Sequence, residues 1–276
     1  MLNRADNDSR WDERIARAQQ LAARYPAAAD ILIFYAGLAE YQKSLLGKKD
    51  NGASPFVPFF ESLDLEPVLA AIPDFLSWLQ RVAPARLAES AAEMRQLDRA
   101  RWRSLAHSYL ACNGRDGEDV DQTQVFVLEA LLQPFAEQLA IRTASSSISA
   151  RGGSLKPEPR CPICGGLPVV GVLREEGQGA KRTLVCALCL TEREYLRVVC
   201  PACGEQQFDA LPVYTAEQFA HVRIEACESC RRYLKTIDLT KDGLAVPPVD
   251  DIASVSLDLW ARDRGYVRLR PNLLRM

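Results

Sequence analysis

The sequence predicts an α+β protein in which an all-α N-terminal helical domain precedes two tandem rubredoxin-like (zinc-ribbon-like) metal modules with short antiparallel strands. Three observations predict this class. Apolar residues recur at helical spacing in the first half, four C-x-x-C pairs lie between Cys161 and Cys230, and short β-type runs separate those pairs. The predicted boundaries are 1–150 for the helical domain, 151–195 for the first module, and 196–276 for the second module with a C-terminal helix and tail.

The first half contains apolar patterns for five or six helices. In the clearest pattern, five apolar residues follow one another at steps of three or four, which lines one face of a helix that should be central to its bundle. These five are Val125, Leu128, Leu132, Phe135 and Leu139. The predicted helical segments are Trp11–Tyr25, Ala27–Leu46, a helix capped by Asp64 with Pro67 in its first turn, one long pattern over Pro84–Cys112, and Asp121–Ile141.

The second half follows a Ser-, Gly- and Pro-containing stretch, Thr143–Pro159, that we interpret as a linker. After it the helical period gives way to short β-type runs. A proline-broken segment, Val246–Val249, and a short helix over Ile252–Arg264 come next, before an arginine-rich tail. The predicted strands are Val169–Leu173, Arg182–Val185, Leu196–Val199, Leu211–Tyr214, His221–Ile224 and Leu234–Asp238.

Eight of the nine cysteines form an internal repeat of four C-x-x-C pairs. A C-x-x-C turn places two thiolates about one tetrahedral edge apart, and Gly165 and Gly204 suit the positive φ that such a turn often needs. Two facing pairs make the closed four-sulfur site that Zn²⁺ or a single iron prefers. We therefore predict two metal ions, bound by Cys161, Cys164, Cys186 and Cys189 in the first module and by Cys200, Cys203, Cys227 and Cys230 in the second.

Pairing in chain order is favoured because it gives each site one C-P-x-C-G turn and one plain turn. Loop entropy decides little, since pairing the first turn with the third changes the closure cost by only about 0.5 kcal/mol. Metal binding would supply folding free energy on the order of 10–16 kcal/mol for zinc in such small modules. A disulfide framework or redox-active dithiols are less favoured alternatives. The donor set alone does not distinguish iron from zinc.

Other reactive residues carry weaker predictions. Cys112 is predicted to be a buried thiol at a helix end, and His107 a packed or surface histidine. His221 is interpreted as a strand histidine without a metal role, a contact beside a metal ligand being the alternative. The tail arginines are expected to form a solvated face or, less often, to dock an acidic partner; they are Arg262, Arg264, Arg268, Arg270 and Arg275.

Composition and charge disfavour several functional classes. The net charge of −2 gives no electrostatic footprint for nucleic acid. No apolar run approaches the roughly 20 residues that span a bilayer, and Met1–Glu13 has no apolar core of a secretory signal. No phosphate-binding loop, dinucleotide fingerprint or specifically placed carboxylate pair is present. We expect a cytoplasmic protein that is not an enzyme and does not insert into membranes.

The cysteine modules and the segment after them together resemble a known family. The modules read C-P-x-C-G…C-x-x-C twice, and Asp250–Ser254, Asp258–Ala261, Gly265–Tyr266 and Pro271–Leu274 follow. This combination resembles the family of the formate dehydrogenase accessory protein FdhE, specifically over residues 160–274 and elsewhere only in layout. The resemblance implies a cytoplasmic accessory protein with two rubredoxin-like, iron-binding domains. It also implies contact with the molybdenum- and selenium-containing catalytic subunit of respiratory formate dehydrogenase during its maturation.

Three functions are compatible with these features. The leading one is a non-enzymatic maturation factor that binds the formate dehydrogenase catalytic subunit, with all eight family cysteines present and iron favoured over zinc through the resemblance. A rubredoxin-like electron carrier is the second, because iron in a four-sulfur site can cycle by one electron. A zinc-ribbon nucleic-acid-binding protein is the third, and the near-neutral charge disfavours it.

Overall fold

The computed structural model describes residues 4–46, 63–112, 121–146, 159–177 and 179–276. Within these ranges it contains eight α-helices, a mixed sheet of seven strands and a few short 3₁₀ turns, so the predicted fold class is confirmed. The helices are α1 Arg4–Arg24, α2 Ala29–Leu45, α3 Glu66–Val82, α4 Ala85–Met94, α5 Arg99–Ala111, α6 Gln122–Ser146, α7 Pro247–Ala253 and α8 Val255–Asp263. The strands are β1 Pro168–Glu176, β2 Gly179–Cys186, β3 Glu192–Glu194, β4 Val213–Thr215, β5 Val222–Ala226, β6 Arg232–Asp238 and β7 Val267–Arg268. None of the described helices is long and apolar enough to cross a membrane.

Two helical segments differ from their predicted lengths. The single helix predicted over Pro84–Cys112 is wrong: α4 and α5 are separated by a turn, because the Asp98 carboxylate accepts a hydrogen bond from the Arg101 amide at 2.7 Å and begins a new helix. Helix α6 continues past Ile141 to Ser146, into the predicted linker. The rest of that linker up to residue 158 lies outside the described residues.

The two cysteine modules share one sheet. Its strand order is β3-β2-β1-β6-β5-β4, with β7 on β6. Pairing is antiparallel among β1 to β3 and among β4 to β6, as predicted, but the joint between the modules, β1–β6, and the pair β6–β7 are parallel. At that joint Gly171 lies opposite Thr236, and a Cβ at Gly171 would come within 2.4 Å of the Thr236 hydroxyl. The close approach therefore requires glycine at this position.

The strand predicted at Leu196–Val199 is wrong, since β3 lies earlier, at Glu192–Glu194. The carbonyls of Leu196 and Val199 instead accept hydrogen bonds from the buried Arg182 guanidinium, at 2.8 and 3.2 Å. Residues 196–199 therefore fold around the Arg182 guanidinium and do not pair with a strand of the sheet. Leu196 and Val198 are exposed as a result, at 55% and 46%.

The region after the sheet also differs from its prediction. Pro247 and Pro248 do not break the segment but begin α7, where proline suits the first helical turn. The single helix predicted over Ile252–Arg264 is wrong, because α7 ends at Ala253 and α8 begins at Val255.

Apolar side chains form two main cores. One lies among α2 to α6 and includes Phe75, Leu128 and Leu131, all almost fully buried. Its members from α6 agree with the central position predicted for that helix. The other lies between α1, α2, the sheet and α7, and includes Trp11 and Ile237. Helices α1 and α2 are therefore packed against the cysteine modules.

A buried charge cluster attaches α7, α8 and the tail to the sheet. Lys235, on β6 and fully buried, donates to the carbonyl of Asp251 and to the Asp258 carboxylate, both at 2.5 Å. Arg268 pairs with the carboxylates of Asp251 and Asp258 at 2.5 and 3.0 Å. Asn272 donates to Asp251 at 2.9 Å. Each carboxylate thus has at least two partners, as buried charges require.

The expectation of a solvated or partner-docking face is wrong for three tail arginines. Arg268 and Arg270 are buried, and both Arg270 and Arg275 pair with Glu129 of α6. Tyr109 of α5 donates to the same carboxylate at 2.8 Å. The tail is therefore joined to the helical half of the chain by charge-assisted hydrogen bonds.

Replacing Asp251 by Asn should lower the free energy of unfolding by about 3–5 kcal/mol at neutral pH, because Lys235 and Arg268 would lose a buried counter-charge. Burial alone would raise the pKa of Asp251, but Arg268 and Lys235 lower it below its ordinary value. The stability that the Asp251 carboxylate contributes is therefore present above the unfolded pKa of about 3.9 and is lost as pH falls through the folded pKa.

Urea unfolding at a series of pH values measures the difference in the free energy of unfolding between wild type and Asp251→Asn. Asp263→Asn, at an exposed position, is the control, and equal stability of both variants would contradict the prediction.

Candidate metal centres

The first group of four sulfurs lies where the start of β1 meets the end of β2. The turn with Cys161 and Cys164 precedes β1, Cys186 is the last residue of β2, and Cys189 lies in the turn that follows it. Sulfur–sulfur distances are 3.5 Å for Cys161–Cys189, 3.3 Å for Cys164–Cys186 and 3.4 Å for Cys164–Cys189. All four residues are buried. Hereafter this group is called the inner centre.

The second group repeats this arrangement between the turn after β3 and the turn joining β5 to β6. Cys200 lies 3.8 Å from Cys230, and Cys203 lies 3.7 Å from Cys227, measured between sulfurs. In each group the four sulfurs all lie within 4.8 Å of one another. The pairs are therefore grouped in chain order. This group is called the outer centre.

The same backbone turn occurs four times. In each pair the amide of the first cysteine donates to the carbonyl five residues later, at 2.8 to 3.0 Å. Gly165 and Gly204 have φ of 67° and 80°, as predicted. Leu190 and Arg231 occupy the equivalent positions of the plain turns and also have positive φ, 53° and 57°, which the sequence did not predict because neither residue favours it. All four turns thus have the same backbone conformation, including the two in which a residue other than glycine has to adopt a positive φ.

The sulfurs alter one another's proton affinity. Hydrogen bonding within the inner centre, with Cys161 as the strongest partner, raises the pKa of Cys164 far above its usual range, while the corresponding contacts lower that of Cys161. In the outer centre burial raises the pKa of Cys230 to about 11. Crowded thiolates repel one another, so full deprotonation needs a cation among them.

The donor set fits a tetrahedral metal ion. A zinc–sulfur bond of about 2.3 Å sets the sulfurs of a regular tetrahedron about 3.8 Å apart. The outer centre has this spacing and the inner centre is slightly tighter. Four sulfur donors leave no open coordination position, which is typical of closed sites. Both groups can therefore hold one metal ion each.

The two centres differ in burial. The inner centre belongs to the helical core, next to Leu188, and Gln133 of α6 donates to the Ala187 carbonyl in its turn at 3.1 Å. In the outer centre Cys203 is exposed and Cys230 is partly exposed. Two similar sequence repeats therefore occupy different environments.

Arg182 connects the two modules. It lies on β2, and its guanidinium pairs with Glu225 of β5 at 2.5 Å. The same group packs over the Tyr195 ring at 5.5 Å and bonds the carbonyls that lead into Cys200. Burial of this cation fixes the outer centre relative to the inner one.

The remaining candidate residues lie outside both centres. Cys112 ends α5 but is exposed, so its predicted burial is wrong, and His107 is exposed on the same helix. His221 contacts the Asp250 carboxylate at 2.8 Å. Asp242 joins them in a group with metal-ligand spacing, but the Arg17 guanidinium pairs with both carboxylates at 2.6 and 2.7 Å and supplies the positive charge there.

Comparison with known proteins finds similarity over the whole chain. Residues 160–197 match the family model described as "FdhE, central domain", and residues 198–275 match "FdhE, C-terminal domain". The chain is 31% identical to the FdhE homolog of Pseudomonas aeruginosa over 294 aligned residues, covering 94% of this chain and 87% of that protein. It is 29% identical to the FdhE homolog of Aquifex aeolicus, covering 94% and 93%. The crystal structure of the FdhE protein from Pseudomonas aeruginosa superposes with a TM-score of 0.77 at 25% identity, covering 97% of this chain and 96% of the other.

Zinc-loaded protein should release its two ions at different rates to a coloured chelator. The outer centre should lose its ion first, because a chelator reaches exposed Cys203 more easily than any sulfur of the inner centre. Stopped-flow absorbance would then show two phases, and Cys203→Ser should remove the faster one. Cys112→Ser is the matched control and should leave both phases unchanged. A single phase in the wild type would contradict the asymmetry.

Proposed function

Because the chain belongs to the FdhE family, we propose that it is a non-enzymatic accessory factor that binds the catalytic subunit of respiratory formate dehydrogenase. It acts in the cytoplasm and is needed for assembly or activation of that enzyme. The observation that carries this proposal is the presence of two closed four-cysteine groups in a chain of this family. When all eight thiolates bind metal ions they make the modules rigid, and the catalysed reaction takes place in the partner enzyme.

In this proposal all eight paired cysteines are metal ligands, with Cys161, Cys164, Cys186 and Cys189 around one ion and Cys200, Cys203, Cys227 and Cys230 around the other. Iron is the preferred ion and zinc the alternative, since both accept four thiolates in tetrahedral geometry. A bound ion cross-links the chain in both cases and, when it is iron, adds one-electron chemistry.

The three-part division also remains a proposal: a helical domain over 1–150, a first module over 151–195 and a second over 196–276. The family-model boundary between residues 197 and 198 supports the second division. Side chains of the helical half pack against the inner centre, and the second module contains the outer centre, which is partly exposed.

An electron carrier is the second candidate function. The exposure of Cys203 and the partial exposure of Cys230 favour it, because electron transfer to a partner requires a centre near the surface. It requires iron and a reversible one-electron couple. Protein purified from its iron-sufficient native host that is colourless and zinc-loaded would exclude this role while leaving the accessory function intact.

Association with the formate dehydrogenase catalytic subunit and dependence of that enzyme on this chain are the expected results in the native host. A tagged copy should retain the subunit in a pull-down, and deletion of the gene should abolish formate-dependent dye reduction. Wild type and Cys112→Ser should restore the activity, whereas Cys164→Ser should not, because it opens the inner centre within the helical core. Normal activity after deletion, with no association, would refute the proposal.

A further inference from the structure

A small cavity lies directly beside the outer centre. Its volume is about 60 Å³, and Cys200 and Cys227 form part of its wall. Val199, Leu234 and Leu269 also line it, and these three belong to a small separate core of buried side chains. One water molecule needs about 10–15 Å³ of such space, so the cavity accommodates only a few heavy atoms. It suits one short apolar side chain.

The rim of this cavity is positively charged. Four arginines line it against a single glutamate, Glu225. Arg182 and Arg223 already pair with Glu225, each at 2.5 Å. The other two arginines, Arg197 and Arg232, are both exposed. A carboxylate placed beside Arg197 or Arg232 would therefore find an exposed guanidinium to pair with.

Apolar side chains are exposed in the cavity lining and next to Arg197 in the chain. Val213 lines the cavity and is 51% exposed. Leu196 and Val198, 55% and 46% exposed, flank Arg197 in the chain. Exposed apolar residues around a concave, charged site are typical of protein interaction surfaces, where one anchor side chain fills a pocket.

We propose that this face docks a segment of the formate dehydrogenase catalytic subunit that presents one short apolar side chain flanked by carboxylates. The face, called the outer-centre pocket, comprises Arg197, Val199, Val213, Arg232 and Leu234. The inference rests on the proposed function and assigns it a surface. The apolar side chain enters the cavity, and the carboxylates lie against Arg197 and Arg232. Because Cys200 and Cys227 form the wall, metal loading of the outer centre shapes the docking site.

The test measures binding of the purified catalytic subunit to the full-length, metal-loaded chain by calorimetry or interferometry. Arg197→Glu combined with Arg232→Glu should weaken binding by roughly ten-fold or more, because both rim charges reverse. Val213→Asp should also weaken it, by placing a carboxylate at the apolar rim. Wild-type binding should weaken as salt rises, whereas binding of the double variant should not, because salt would then screen a repulsion between like charges.

Matched controls are Arg101→Glu on α5 and Val82→Asp at the end of α3, both at exposed positions of the helical half. Circular dichroism and metal content of every variant should match the wild type. If the wild type binds and the pocket variants bind equally well, the inference is overturned while the proposed function stands. If the wild type does not bind, the proposed function fails and the inference with it. Full displacement by millimolar acetate would assign the pocket to a free carboxylate and overturn the docking proposal.

Discussion

The fully buried ammonium of Lys235 is the constraint on which the rest of the structure depends. Its strand, β6, pairs with β1 of the first module, β5 of the second and β7 of the tail. Removing such a charge from water costs several kcal/mol, so acceptors must be held beside it. Asp251, Ser254 and Asp258 supply them, and the two aspartates are shared with Arg268. One charge thereby specifies where α7, α8 and the tail lie on the sheet.

The two metal centres acquire different roles from this architecture. The parallel joint at Gly171 and Thr236 places the strands of the second module at the other end of the sheet from those of the first. The inner centre accordingly shares a core with Leu131 and Leu188, while exposed Cys203 belongs to the outer centre. A duplicated motif thus yields one centre that stabilises the interior and one that can meet other molecules.

Local features of the chain could be predicted from the sequence, and long-range ones could not. The cysteine repeat indicated both sulfur groups and the positive φ of Gly165 and Gly204, because these depend on residues only a few positions apart. The helix break before α5 was missed although Asp98 is a good cap. The internal role of Arg270 could not be inferred, since its partner Glu129 is 141 residues away. The spacing of apolar residues predicts which face of a helix is buried. It does not predict which distant side chain will pair with a buried charge.

The contact of α1 with the second module has a consequence for dissecting the protein into fragments. Arg17 pairs with Asp250, whose carboxylate also accepts the Val246 amide at the start of α7 and contacts His221. A fragment that begins after the linker would retain every paired cysteine but lack this guanidinium, so the buried Asp250 carboxylate would lose its arginine partner and keep the His221 contact. Spectra or potentials recorded on such a fragment would therefore describe a loosened scaffold, and the intrinsic properties of either centre are accessible only in the intact chain.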